Sequence, residues 1–299
     1  MRPIERQDKP ARARGTSLIN AFTVDVEDYF HVAALSRAIS RESWPTRECR
    51  VEANTERLLG ILAEGGVRGT FFVLGWVAER SPGLVRRIAA AGHEIACHGL
   101  SHRLIYTQAR EEFREETRRA KRLLEDLIGE AVLGYRAASF SVTRESLWAL
   151  DTLIDAGFLY DSSIFPIRHD RYGLPGAAPE PNRVSAPSGR TLVEFPMSAA
   201  RFLGVQVPVS GGGYFRILPY WLTRAGLKQI NERRGLPFTF YLHPWELDPG
   251  QPRFKVSALS RFRHYTNLAR CEGRLRRVLR EFEFASMHEA LRVRGLLAA

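Results

Sequence analysis

A chain of 299 residues with 44% hydrophobic side chains is long enough to bury a full core, and it contains no apolar run of the roughly 18 residues that a membrane-crossing helix requires. Its 44 Lys and Arg outnumber 33 Asp and Glu, a net charge of +11 that favours anionic neighbours. Glu is interspersed among the arginines and no nucleic-acid-binding motif is present, so no nucleic-acid partner is expected.

Met1 to Ser17 is polar and charged and lacks the apolar core of a secretory signal, so a disordered basic leader over 1–17 is expected, followed by one domain over 18–299. Phe22 to Val26 reads as a first strand. Asn54 or Thr55 is positioned to cap a helix carrying Leu58, Leu59, Ile61 and Leu62, stopped by Gly65-Gly66. Thr70 to Leu74 is a second strand, Ser81-Pro82 opens a helix that Gly92 closes, and Glu94 to Cys97 is a third strand. Between Thr107 and Ile128, Phe113, Ala120, Leu124 and Leu127 share one helical face and charges fill the other.

A short strand then ends near Arg136, a helix spans Arg144 to Ala156, and strands follow at Phe158 to Tyr160 and Leu192 to Phe195. Residues 165–190, rich in Pro and Gly, read as a surface loop. Pro219 to Arg233 predicts a helix, Phe238 to Leu242 a strand, Tyr265 to Glu281 a basic amphipathic helix and Phe282 to Ala285 a last strand. About seven strands alternating with helices predict an α/β fold, a distorted barrel of parallel strands. Cys49, Cys97 and Cys271, odd in number and far apart, read as free thiols of a reducing compartment, so a cytoplasmic location is expected.

His98 and His102 stand four residues apart just beyond the third strand, close enough for both rings to reach one metal ion if the segment turns helically. Asp25, Glu27 and Asp28 lie at the end of the first strand. A metal site also needs an anionic ligand and, for hydrolysis, a base, so the two segments together suggest a metallohydrolase. In a barrel the site forms at the carboxyl ends of the strands, where Asp25, His98, Arg136 and His243 all fall. His31, His93, His169, His264 and His288 read as ordinary core or surface histidines.

Thr23 to Tyr29, His98-Gly-Leu-Ser-His102, Arg136-Ala-Ala-Ser-Phe-Ser141, Tyr160-Asp-Ser-Ser-Ile-Phe-Pro166 and Tyr241-Leu-His-Pro-Trp245 occur in an order that resembles the polysaccharide deacetylases of carbohydrate esterase family 4, the NodB-homology group. The branch found with exosortase (PEP-CTERM) exopolysaccharide loci is the most similar. The resemblance implies a divalent metal, usually zinc, held by a carboxylate and by His98 and His102, and removal of acetyl groups from N-acetylated sugars. It further implies Asp25 as base, Arg136 as its charged partner, His243 as acid and a backbone N–H near Ser139 as oxyanion donor.

Two departures stand out. The family's common first motif has adjacent aspartates, whereas here Val26 follows Asp25 and the candidate ligands are Glu27 and Asp28. Alternation along an extended chain favours Glu27, while a turn after Val26 would present Asp28. Ala138 replaces a proline common in the third motif, without loss of a functional group. Tyr214, in Gly211-Gly-Gly-Tyr-Phe215, and Trp245, with Trp221 and Tyr241, are candidates for sugar contact as well as for plain packing. Arg270, Arg274, Arg277 and Arg280 of the basic helix could face an anionic membrane surface or an acidic glycan. An N-acetylated polysaccharide or its lipid-linked precursor at the inner membrane face is the expected substrate. The alternatives are an allantoinase-like hydrolase of a small cyclic amide, and a catalytically silent barrel that binds glycan or a partner.

Overall fold

The computed structural model describes residues 18–169 and 171–298, so the expectation for the leader lies outside the described residues. Among the described residues eleven strands are present: β1 (Asn20–Val26), β2 (Thr70–Val73), β3 (Glu94–Cys97), β4 (Gly134–Tyr135), β5 (Tyr160–Asp161), β6 (Asn182–Ser185), β7 (Thr191–Glu194), β8 (Ala199–Phe202), β9 (Val205–Pro208), β10 (Thr239–Leu242) and β11 (Phe284–Ala285). Nine of them form one sheet in the order β10-β1-β2-β3-β4-β5-β7-β6, with β11 also on β1. Every pairing in it is parallel except β6 with β7. The sheet curls into a half-open barrel, as the alternation of strands and helices predicts, and β10 and β6 are its two unjoined edges.

The period-two alternation of β1 sorts its side chains. Phe22, Val24 and Val26 join Leu58, Leu62, Phe71, Val73 and Leu275 in the layer between sheet and helices. Ala21, Thr23 and Asp25 face the barrel interior, where Ala21, Phe72, Ala96, Tyr160, Val193 and Phe195 pack on Met287, Ala290 and Leu291 of the helix Met287–Val293. That helix closes one mouth of the barrel and leaves the mouth at the strands' carboxyl ends for polar groups.

The helix Arg110–Ile128 buries Phe113, Ala120 and Leu124 as its periodicity predicts, and ends on Gly129 at φ 73°. Four segments differ from expectation. The helix anticipated from Asn54 or Thr55 begins at Val51, because the Asp28 carboxylate accepts the N–H groups of Arg50 (2.6 Å) and Val51 (2.8 Å). The basic helix expected over Tyr265 to Glu281 runs over Leu268–Glu281, starting after Asn267 at φ 56°, and an unanticipated helix, Ala258–Tyr265, precedes it. Strand β6 lies within the expected loop, and the β8–β9 hairpin follows it. Of the arginines that are candidates for a membrane surface, Arg274 turns inward, while Arg277 stays exposed. Arg274 donates to the carbonyls of Phe215, Arg216 and Leu218, and Arg277 lies over the Tyr220 ring.

Gly211-Gly212 carries a constraint beyond a simple turn. Gly211 (φ 134°) bridges to Tyr241, where a Cβ would sit 1.9 Å from the Tyr241 carbonyl oxygen. At Gly212 (φ 53°) a Cβ would lie 2.3 Å from the Tyr241 hydroxyl. Glycine is therefore required for the helix Gly212–Ile217 to pack against β10. Gly211→Ala is expected to cost about 2 kcal/mol or more in chemical denaturation, with the backbone around Tyr241 displaced.

Candidate metal centre and catalytic cleft

Asp25 ends β1, and the chain turns at once through a hydrogen bond from the Glu27 N–H to the Asp25 carbonyl (3.0 Å). This turn separates the two candidate ligands. Glu27 hangs over the barrel mouth, and Asp28 is directed away, its carboxylate accepting from Tyr29 as well as from Arg50 and Val51. The sequence left Glu27 and Asp28 open; the geometry gives Glu27 to the cluster and Asp28 to helix capping, because three backbone donors occupy Asp28.

The His98–His102 segment is not helical. Gly99 (φ 75°) and His102 (φ 53°) take left-handed backbone, and the carbonyls of Gly99 and Leu100 accept the first N–H groups of the helix Gly75–Arg80. The loop still brings the two rings to 5.3 Å between centroids. Ligand atoms of Glu27, His98 and His102 all lie within 4.8 Å of one another.

Three features fit this cluster to a divalent cation. The His98 Nδ1 lies 2.9 Å from the Arg136 carbonyl, which accepts only a proton-bearing nitrogen, so Nε2 keeps its lone pair for the cleft. Burial pushes the His98 imidazolium down to about 4, leaving the ring neutral at pH 7. Glu27 Oε2 faces His102 Nε2 at 2.8 Å, yet it is buried with no hydrogen-bond partner, the arrangement of two donors around a shared ion. Burial opposes ionisation of Glu27, but the charges of His102 and His243 outweigh it and hold the carboxyl below its ordinary range.

Beside the cluster, Arg136 has no exposed surface. Its Nη1 donates to Asp25 Oδ1 (2.6 Å) and Thr23 Oγ1 (2.9 Å), and Nε and Nη2 donate to the carbonyl and hydroxyl of Ser162. The guanidinium also lies 4.0 Å over the Phe72 ring. Every face of this buried cation is thus matched, and Asp25 is held rigidly with Oδ2 toward the cleft.

On the far side, His243 Nε2 stands 3.9 Å from Asp25 Oδ2 and 3.2 Å from Glu27 Oε1. Its Nδ1 lies 2.8 Å from Glu246 Oε1, and Glu246 Oε2 accepts from Arg216 Nε at 2.5 Å. Both partners are buried, and neither was legible as a site residue in the sequence. Arg216 also reaches the carbonyls of Arg263, His264 and Thr266. Burial works against a charged His243, yet Glu27, Glu246 and Asp25 raise it to about 9. Glu246, despite burial, is drawn down to about 2 by Arg216 and His243.

Asp25, Glu27, His98, His102, Ser139, His243 and Trp245 line one cavity of about 180 Å³. Ser139 and Phe140 carry positive φ (51° and 53°), strained non-glycine backbone of the kind that clusters at functional sites. Trp245 stacks on His243 with centroids 5.3 Å apart. Tyr214 is half-buried and does not line the cavity, where Gly213 and Arg216 represent its helix, and Trp221 is 69% exposed elsewhere. Behind Arg136 sit Asp161 and Glu194, two fully buried carboxyls.

Residues 44–153 match the polysaccharide deacetylase family, and residues 162–292 match a domain of unknown function, DUF3473. A chitooligosaccharide deacetylase of Sinorhizobium fredii is 32% identical over 103 residues, 34% of this chain and 47% of that protein. A peptidoglycan-N-acetylglucosamine deacetylase of Bacillus cereus is 36% identical over 98 residues, 32% of this chain and 36% of that protein. Residues 44–153 are thus similar to the polysaccharide deacetylases. The chain's matches span less than half the length of these curated relatives. Among solved structures, a Mycobacterium smegmatis protein described as a polysaccharide deacetylase aligns with TM-score 0.61 at 23% identity, over 95% of this chain and 93% of that one. Puue allantoinase aligns with TM-score 0.61 at 17% identity, over 96% and 94%. Both likenesses are of fold.

Two predictions follow the division of carboxylates. Glu27→Gln should weaken divalent-metal binding at least about tenfold in a calorimetric titration, whereas Asp28→Asn should leave metal affinity intact and cost roughly 1 kcal/mol of stability through the weakened cap. Burial raises both Asp161 and Glu194 above the ordinary carboxyl range, so their contribution to stability is full below that range and is lost as pH rises through the raised values. Asp161→Asn should therefore shrink the loss of thermal stability between acidic and neutral pH attributable to this pair, as read from melting curves of both proteins.

Proposed function

We propose that this protein is a metal-dependent deacetylase that hydrolyses N-acetyl groups of a polysaccharide or of its lipid-linked precursor. The observation that carries the reading is the pair of proton-handling groups, Asp25 clamped by Arg136 and His243 clamped by Glu246, which face each other across the Glu27, His98 and His102 cluster.

Glu27, His98 and His102, a donor set suited to zinc, would hold a divalent ion, which would supply a Lewis acid to polarise the acetyl carbonyl and lower the proton affinity of water. Asp25 accepts the proton of the attacking water through Oδ2, its other oxygen being fixed by Arg136. His243, charged at pH 7, delivers a proton from Nε2 to the departing amine, with Glu246 holding Nδ1 so that Nε2 points into the cleft. The strained turn at Ser139 supports a role for its N–H as donor to the developing oxyanion. Trp245 offers an apolar wall for a sugar ring.

The deacetylase reading is favoured over a cyclic amidase by the sequence relatives, since the fold is equally similar to an allantoinase. A complete set of matched proton donors and acceptors disfavours a silent binding barrel. Part of the same proposal is that residues 18–299 act as one unit in exopolysaccharide production, on the cytoplasmic side of a membrane. Among the described residues no helix is long and apolar enough to cross one.

Asp25→Asn should lower acetate release from tetra-N-acetylchitotetraose by about 100-fold or more while zinc content and fold are retained. Undiminished turnover would refute the base, and rapid hydrolysis of allantoin without acetate release from any glycan would replace the reading with the amidase.

A further inference from the structure

The catalytic cavity does not end at the metal ligands. Through Ala33, Ala34 and Arg263 it runs into a groove of about 650 Å³. Arg37, Arg171, Lys255 and Arg263 line this groove, all exposed, and among the described residues no Asp or Glu lines it. Among the described residues, no carboxylate stands at ion-pair distance from Arg37, Lys255 or Arg263.

Several exposed arginines elsewhere are neutralised, Arg57 by Glu272, Arg87 by Glu52 and Glu56, Arg119 by Glu79, Arg190 by Asp151 and Asp155 and Arg224 by Glu281, while others such as Arg122, Arg233 and Arg261 are scattered over the surface. A chain of net charge +11 would show scattered unpaired cations by chance. Here they converge on one groove that opens into the cleft. A concave surface lined by one sign of charge focuses its field and concentrates ligands of the opposite sign.

We infer that the groove binds sugar units carrying carboxylates, so that the substrate is an acidic polysaccharide in which uronate residues flank the N-acetylated sugar. The inference rests on the deacetylase reading for what occupies the cavity. Arg37 and Lys255 touch neither the proposed ligands nor the proton-handling groups, so they set affinity for the flanking units and leave the bond-breaking step alone. Exposed charge pairs are individually weak and salt-sensitive, so the preference arises from several acting together.

The test is calorimetric binding of the full chain, loaded with zinc, to a hyaluronan tetrasaccharide, which alternates glucuronate with N-acetylglucosamine, and to neutral tetra-N-acetylchitotetraose, each at low and high salt. The hyaluronan oligosaccharide should bind more tightly at low salt and lose its advantage at high salt. The double variant Arg37→Gln, Lys255→Gln should weaken hyaluronan binding roughly fivefold or more and leave chitotetraose binding unchanged. Equal affinity for the two sugars, or an unaffected double variant, overturns the inference. So does capture by phosphatidylglycerol vesicles that the double variant abolishes without any preference between the sugars, which would make the groove a membrane face. Acetate release from chitotetraose separates the two readings: turnover without a charge preference removes the acidic substrate alone, and a charge preference without turnover of either sugar removes the deacetylase reading alone.

Discussion

A guanidinium sealed from water is the constraint on which this cleft depends. Arg136 follows β4, yet its donors reach Thr23 and Asp25 on β1 and Ser162 beyond β5, and its own carbonyl fixes the His98 ring beyond β3. Strands that are not neighbours in the sheet are thereby tied across the barrel mouth. A buried cation is tolerable only when its hydrogen bonds are complete, so the side chains around it have little freedom to move independently. Preorganisation of the Asp25 carboxylate and of the His98 ring therefore derives from a single residue.

The opposite wall is organised by the same logic in the other half of the chain. Glu246 is buried between Arg216 and His243, and Arg216 is anchored by three carbonyls of the segment around the helix Ala258–Tyr265. All of these residues lie within 162–292, the segment that matches a domain of unknown function. That segment supplies β10, the neighbour of β1, along with His243 and Trp245. Its place in the fold is thus to complete the cleft begun by the deacetylase-matched residues, bringing the imidazole across from Asp25.

The parts legible in the sequence were those governed by local periodicity and by strand ends. Alternation in β1 separated Asp25 and Glu27 from Val24 and Val26, and the strand-end rule gathered Asp25, His98, Arg136 and His243. The capping by Asp28 was not legible, because it acts on a helix that begins 23 residues later, and the helix start was consequently expected at Asn54 or Thr55 rather than Val51. The His98–His102 spacing was informative although the helical turn assumed for it is absent; left-handed Gly99 and His102 achieve the same convergence. Glu246 and Arg216 escaped notice because a charge pair separated by 30 residues has no local signature. The hairpin β8–β9 was missed because its strands lie at the surface and present only a weak apolar alternation.

Of the described strands β1 is made first, and it lies between β2 and β10, with Asn20 bonded to Asn231, 211 positions further on. Until that late segment is made, one edge of β1 has no partner and the interior faces of Phe72 and Ala96 lack the floor contributed by Met287 and Leu291. Closure is therefore a non-local event, costly in chain entropy and slow relative to formation of the helices. The nascent polypeptide must carry an open sheet edge and uncovered aromatic rings through most of its synthesis, a period in which chaperone shelter matters more than it would for a fold built from sequential hairpins.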